Sequence, residues 1–329
     1  MELHFIINPV AKNGYSIKIW SKIEKVLQKH QFSYHSYFTE GPGDAVRYVD
    51  KTLTNAAETV FLIAVGGDGT IHEVVNGAYS FKNSIVGYIP AGSGNDFSRG
   101  FLIPRNPKKA LQFILNGIAE KRRVAIADVG QFATNTAKGV FVNNLGCGFD
   151  AKVVYEVNQS RTKKFFNRLG LGKLTYVYYL IKELFAYKPT DVTVHVDGKT
   201  SHFSRVWLVT VANHPYLGGG MKLLPDADPQ DGQFNIIIVH DISRLKILTL
   251  FVSVFWGGHV GLKGVTILKG EQIQIENDSS VYQHADGEYI GNGKVDIQLK
   301  KKVLPVLSMS KHTVNFTTSG EWEHQEFSC

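Results

Sequence analysis

Gly66, Gly67 and Gly69 surround Asp68 and are followed by Thr70, directly after an apolar run at 60–65. Glycine adopts positive φ without strain and lets the main chain approach a ligand closely. Thr70 and Glu73 have the Thr-x-x-Glu spacing of a capping box, which would open a helix running to about residue 78. A glycine loop ending at a helix N-terminus offers unpaired N–H groups and a positive dipole end, which together hold phosphate. An ordinary strand-to-helix turn needs one glycine rather than three, so phosphate binding is the preferred expectation. A second loop repeats the pattern: the run 85–89 leads into Pro90, Ala91, Gly92, Ser93, Gly94, Asn95 and Asp96. Asn95 or Asp96 could cap the next helix, and Arg99 adds a cation within one turn. Lys12 follows the first apolar run and would reach the same sheet edge.

Two acidic segments also carry chemistry. Asp286 and Glu288 flank Gly287; in an extended segment both carboxylates would face one side. Taken alone, a plain Asp-Gly hairpin turn is the better reading. Asp226, Asp228 and Asp231 lie among Pro225, Pro229 and Gly232, and oxygen ligands in a tight loop suit Mg²⁺, although a solvated acidic turn accounts for them equally well. There is no Gly-x-x-x-x-Gly-Lys-Ser/Thr. Gly146, Gly148 and Ala151 match the dinucleotide fingerprint formally, yet no acidic residue ends a second strand about 20 residues on. A tight turn is expected there.

The elements that must position these residues change character along the chain. Up to about residue 125, apolar runs at 3–7, 32–38, 60–65 and 85–89 alternate with helical patterns at 16–29, 44–53 and 108–115. Such alternation indicates a parallel sheet with helices on both faces, and the uninterrupted 60–65 run is the mark of a central strand. Both glycine loops and Lys12 would then sit at the C-terminal edge, where open α/β sheets bind ligands. Beyond it, strand patterns at 140–145, 191–196, 205–212, 234–240, 264–268, 272–276 and 294–300 follow one another, interrupted by helical stretches at 151–187 and 245–256. Serial strands indicate a sandwich or barrel. The expected organisation is an α/β domain over 1–125, a β-sandwich domain over 126–307, and a polar tail over 308–329, either loose or returning to the first domain.

The chain has 329 residues, 43% hydrophobic and 20% charged, more than one core usually supports. The two cysteines, Cys147 and Cys329, build neither a disulfide framework nor a zinc site, which suits a reducing cytoplasm. No signal-peptide pattern opens the sequence, and the longest apolar run, 247–256, is short of the roughly 20 residues of a spanning helix. A net charge of +7 fits an anionic membrane, a phosphorylated substrate or nucleic acid, but no recognition motif supports nucleic acid. No acidic residue falls between Glu156 and Glu183, where Arg161, Lys163, Lys164, Arg168 and Lys173 alternate with Phe165, Phe166, Leu169, Leu171, Tyr176, Tyr178 and Tyr179. That mixture suits an anionic lipid surface, and equally a solvated helix packed by its aromatic face.

Asn8-Pro9, the Gly66–Thr70 loop with Glu73 and Asn76-Gly77, the 92–96 loop, the stretch 144–151, Pro225-Asp226-Ala227 with Asp231-Gly232, and Asp286-Gly287-Glu288, in this order, resemble the diacylglycerol kinase catalytic-domain superfamily, particularly its soluble bacterial lipid kinases. The resemblance implies an α/β nucleotide-binding domain of NAD kinase/diacylglycerol kinase type, a C-terminal β-sandwich, and an active site in the cleft between them. It implies ATP held by Asn8, Pro9, Lys12, Thr39, Gly66, Gly67, Asp68, Gly69, Thr70, Glu73, Gly92, Ser93, Gly94 and Asn95, with Asp68 and Asp96 near ATP and its Mg²⁺. Lys12 and Arg99 would offset charge on the transferred phosphoryl group, and Asp286, beside Glu288, would be the general base. A structural Mg²⁺ would take the Asp231 carboxylate and the carbonyls of Asp228 and Gln233; Gln230 stands where many relatives have a second aspartate. The implied activity is ATP-dependent phosphorylation of a lipid hydroxyl, with diacylglycerol as acceptor and phosphatidic acid as product, in a cytoplasmic protein peripherally associated with membrane. Phosphatidylglycerol or a sphingoid base as acceptor, an NAD kinase-like soluble kinase, and an inactive ATP- or lipid-binding module are the alternatives. A homodimer is left open.

Overall fold

β-Branched and aromatic residues alternate with amphipathic stretches through Glu2–Ile7 (β1), Tyr15–Lys29 (α1), His35–Phe38 (β2), Asp44–Asn55 (α2), Val60–Gly66 (β3), Asp68–Ala78 (α3), Ser84–Pro90 (β4), Asp96–Gly100 (α4) and Pro107–Ala119 (α5). In this computed structural model residues 1–160, 172–310, 312–316 and 322–323 are described. They form two units, Met1–Val129 with Lys301–Cys329, and Gly130–Lys300. The chain passes between them inside the strands Val124–Thr134 (β5) and Val295–Leu307. The stretch 301–307, expected with the second domain, therefore belongs to the first unit.

In the first unit β4, β3, β1 and β2 pair in that order, all parallel. Every residue of β3 and β4 is buried, because helices cover both faces of a central parallel strand. Parallel pairing brings the C-terminal ends of β1, β3 and β4 to one edge, so the loops after Ile7, Gly66 and Pro90 open side by side. In the tail, Val314 bridges to Val124, and the buried Ser308 hydroxyl donates to the Phe101 carbonyl at 2.7 Å.

The expected Thr70–Glu73 capping box does not form. Helix α3 starts earlier, at Asp68, with Gly67 as its N-cap and no side-chain cap. Thr70 Oγ1 instead accepts from Asn8 Nδ2 at 3.2 Å, and Glu73 crosses to the start of α2, accepting the N–H groups of Gly43 and Ala45 at 2.8 and 3.0 Å. A carboxylate at that helix's positive end satisfies amides that its own N-cap, Gly43, cannot reach. Neither Asn95 nor Asp96 caps α4 by a side-chain hydrogen bond. Asn95 Oδ1 turns back to the Gly92 N–H, and Asp96 pairs with Arg99.

The second unit is antiparallel. Its long strand Lys199–Ala212 (β9) pairs with Thr190–Val196 (β8) through its first half, and with Asn144–Gly148 (β7) and Phe234–His240 through its second. In Phe234–His240 the apolar run 236–239 serves two cores. Ile236 and Ile238 enter the core between the strands, whereas Ile237 and Val239 enter a second core under the helices. These helices are Phe149–Gln159 (α6), Gly172–Ala186 (α7) and Arg244–Ser253 (α8), the last followed by a 3₁₀ turn Val254–Trp256.

The expected strand 140–145 is two strands, Lys138–Phe141 (β6) and β7, because the N–H groups of Val142, Asn143 and Asn144 turn to a carboxylate instead of a ladder. Gly146 and Gly148 lie in β7 rather than in a tight turn. A Cβ on Gly146 would meet Asp150 Oδ2 at 2.2 Å, and Gly148, at φ 106, leads straight into α6. The strands Tyr282–Ala285 and Glu288–Asn292 form a hairpin closed by Asp286-Gly287, the plain Asp-Gly turn that the residues taken alone favour, although neither strand is in the expected series.

Candidate active site

The two glycine loops touch. A Cβ on Gly92 would stand 2.3 Å from Gly67 Cα, and the Ala91 N–H donates to the Gly66 carbonyl at 2.7 Å. Asp68 fastens them: Oδ2 accepts the Asn95 N–H at 2.6 Å and Oδ1 accepts the Phe97 N–H at 3.2 Å. A side chain at Gly94 would collide with that carboxylate, 2.7 Å away. The Tyr88 hydroxyl beneath lies 3.0 Å from the Gly66 carbonyl and 2.8 Å from Asn95 Oδ1. Burial, then the neighbouring Asp96 carboxylate, push the Asp68 carboxyl up to about 6.

The remaining first-unit candidates divide. Asn8 is tied to Thr70, and its Oδ1 accepts from the Val10 N–H, shaping the loop that carries Pro9 and Lys12. Lys12 is exposed at φ 46, its ammonium 4.7 Å over the Tyr15 ring. Arg99 is drawn into the second loop, where Nη1 donates to Asp96 Oδ1 at 2.8 Å and to the Gly94 carbonyl. Gly69 lies in the first turn of α3 and Ser93 in the exposed crest of the second loop. Thr39 follows β2, its N–H bonded to Ile7. Glu73 faces α2 rather than the loops. Gly77, of the same motif, is where α2 and α3 meet: its Cβ would be 2.8 Å from Val49 Cβ.

In the second unit Asp286 and Gly287 occupy a two-residue turn at φ 50 and 87. The segment is thus not extended, and the two carboxylates part: Asp286 is buried and Glu288 exposed. Asp286 Oδ1 accepts from Asn143 and Asn144 N–H at 2.8 and 3.0 Å, and Oδ2 from Val142 N–H at 3.0 Å. Three amides hold the carboxylate in one orientation. Buried His214 backs this turn; burial pushes it down to about 4, and its neutral ring bridges Asn143 Oδ1 at 2.7 Å and the Tyr216 N–H at 3.2 Å.

The acidic loop is exposed at Asp226, Asp228, Asp231 and Gln233. Asp228 Oδ1 accepts from the Gln230 N–H and Asp231 Oδ1 from the Gln233 N–H, both at 3.0 Å. Its donors are all oxygens, carboxylate and carbonyl, and that set fits a hard cation such as Mg²⁺.

Sequence reasoning missed the pairing of Asp150 with the buried His284, and a cavity. Asp150 Oδ2 accepts from the Thr210 hydroxyl at 3.0 Å and lies 3.5 Å from His284 Nε2. The other nitrogen of that ring accepts the Gly287 N–H at 3.3 Å, connecting α6 to the Asp286 turn. Asp150 also enters an apolar cavity with Phe149, Val153, Leu180, Met221, Leu250 and Val254. The formal fingerprint around Gly146 and the family-like stretch 144–151, which contains Asp150, pointed near it without giving it a role. Of the basic–aromatic stretch, 161–171 lies outside the described residues, as do the side chains of Lys173 and Tyr176; Tyr178 is exposed, and the Tyr179 hydroxyl donates to Ser160 Oγ at 3.0 Å.

A parallel α/β unit with two apposed glycine loops, joined to an antiparallel β-sandwich unit, is the architecture of the NAD kinase/diacylglycerol kinase class. The model of the diacylglycerol kinase catalytic domain matches residues 2–127, and that of the YegS C-terminal NAD kinase beta sandwich-like domain matches residues 143–308. A Bacillus subtilis protein named "Putative lipid kinase YtlR" is 33% identical over 87% of this chain and 93% of its own length. The B. subtilis protein named diacylglycerol kinase is 31% identical over 87% and 89%. A Bacillus anthracis crystal structure described as a "putative diacylglycerol kinase" superposes with TM-score 0.74 at 24% identity, covering 93% of this chain and 95% of that one, a likeness of fold. The chain belongs to the diacylglycerol kinase catalytic-domain family and is a lipid kinase.

Proposed function

We propose that the enzyme transfers the γ-phosphoryl group of ATP to the free hydroxyl of diacylglycerol, giving phosphatidic acid. The observation carrying ATP as donor is the pair of loops stapled by Asp68 at the C-terminal edge of a parallel sheet, where main-chain amides and an uncapped helix start favour phosphate. Amides of Gly66–Thr70 bind the phosphates, Lys12 offsets developing charge, and Arg99 keeps the second loop in shape. The apolar lining of the second unit's cavity supports an apolar acceptor, and its volume of about 70 Å³ would take the end of one acyl chain rather than a whole lipid.

In the reaction the acceptor oxygen forms a bond to the γ-phosphorus as the bond from that phosphorus to the β–γ bridging oxygen breaks. Asp286 takes the hydroxyl proton, its carboxylate aimed by the N–H groups of Val142, Asn143 and Asn144. Mg²⁺ would be held by the Asp231 carboxylate and the carbonyls of Asp228 and Gln233 as a structural ion, and by Asp68 and Asp96 beside ATP, where it supplies charge neutralisation.

The test is transfer of labelled phosphate from ATP to a lipid panel in mixed micelles. Labelled phosphatidic acid is expected; labelled phosphatidylglycerol or sphingoid base would replace the acceptor, and no labelled lipid would defeat the proposal. Asp286→Asn should abolish transfer while the circular dichroism spectrum is retained.

A further inference from the structure

Helix α8 and the 3₁₀ turn that follows it are apolar on two sides. Ile247, Leu250 and Val254 are buried and line the second-unit cavity, whereas Leu245, Val252, Phe255 and Trp256 are between 54% and 73% exposed. A helix resting on a core in water normally turns polar residues outward, and a contiguous outward apolar patch marks a contact surface. Helix α7 extends it: Leu180 lines the same cavity while Tyr178 and Phe185 are exposed, and Arg244 Nη2 of α8 donates to the Tyr187 carbonyl at 3.2 Å. The exposed indole folds over the turn that follows, where a Cβ on Gly258 would lie 2.5 Å from Trp256 Nε1.

Charge selects the partner. From 242 to 270 the chain has no Asp or Glu, and Arg244, Lys246 and Lys263 are exposed. Neighbouring Asp241 is engaged by Arg205, and Glu183 on α7 is buried beside Lys182. A second copy meeting this face by two-fold symmetry would set these cations against their own equivalents. An anionic bilayer complements both features, taking aromatic rings into its interface and lysines at its phosphates.

We propose that the outer face of α8 and the following turn, with α7 alongside, seats this enzyme on anionic membranes through Phe255, Trp256, Arg244, Lys246 and Lys263. This rests on the lipid-acceptor role proposed for the second unit, because the inner faces of the same helices line its cavity.

The test is cosedimentation of the full chain with vesicles of phosphatidylcholine, alone or mixed with phosphatidylglycerol. Phe255→Ser/Trp256→Ser should lower partition to the mixed vesicles about tenfold or more, with thermal unfolding unchanged. Lys246→Gln/Lys263→Gln should lower it about tenfold on mixed vesicles and leave phosphatidylcholine binding unaltered. Both variants should still phosphorylate a soluble short-chain diacylglycerol. Wild-type partition of the aromatic variant would overturn the proposal, as would conversion of a dimer to a monomer with vesicle binding intact. Lowered partition in a protein whose wild type labels no diacylglycerol would uphold this surface and defeat the acceptor assignment alone.

Discussion

The Asp68 carboxylate accepts the main-chain N–H of Asn95 at 2.6 Å, so one side chain at the start of a helix sets the position of the loop that follows the neighbouring strand. Sequence motifs that look like two independent phosphate loops are one mechanical object. Removing this staple should disturb both.

Asp68→Ala is expected to lower kcat/KM about a hundredfold, because small misplacements of binding loops are expensive. It also leaves the Asn95 and Phe97 amides without their acceptor, at a cost of about 1–3 kcal/mol. Steady-state kinetics beside urea unfolding separate the two effects.

Stability should depend on pH through the same group. Asp68 titrates near 6 when folded against an ordinary 3.8, so its contribution is fully present below the unfolded value and is lost as pH rises through about 6. The roughly two-unit shift corresponds to about 3 kcal/mol. His214, lowered from 6.5 to about 4, works the other way, its contribution being lost as pH falls from 6.5 towards 4. Unfolding of wild type should therefore be compared with Asp68→Asn between pH 4 and 7. The stability difference, wild type minus variant, should shrink as pH rises.

Two glycines of the signature motifs should separate function from packing. Gly92→Ala drives a methyl group into Gly67 main chain and should lower kcat/KM at least about tenfold. Gly77→Ala presses on Val49 and should cost about 1–3 kcal/mol of stability, with kcat/KM of the folded enzyme unchanged.

Glu73→Ala should cost about 1 kcal/mol by uncapping α2, and the KM for ATP should stay at its wild-type value. A several-fold rise in that KM would instead return Glu73 to the nucleotide site.

What the sequence determined by itself was local or periodic. The unbroken apolar runs marked β3 and β4 as central strands, since only residues covered on both faces can be apolar throughout. Clustered glycines after those strands marked where main chain must pass closely, and the change from alternating elements to serial strands marked the second unit. Tertiary structure decided the partners. Glu73 reaches α2, Asp68 reaches Asn95, Asp286 gathers three amides from the break between β6 and β7, and Asp150 meets His284. A carboxylate's environment depends on which distant amides face it, and strand register and helix packing set that across separations no local period encodes. For the same reason Asp286 and Glu288, two residues apart in the chain, are parted by a turn whose residues both sit at positive φ.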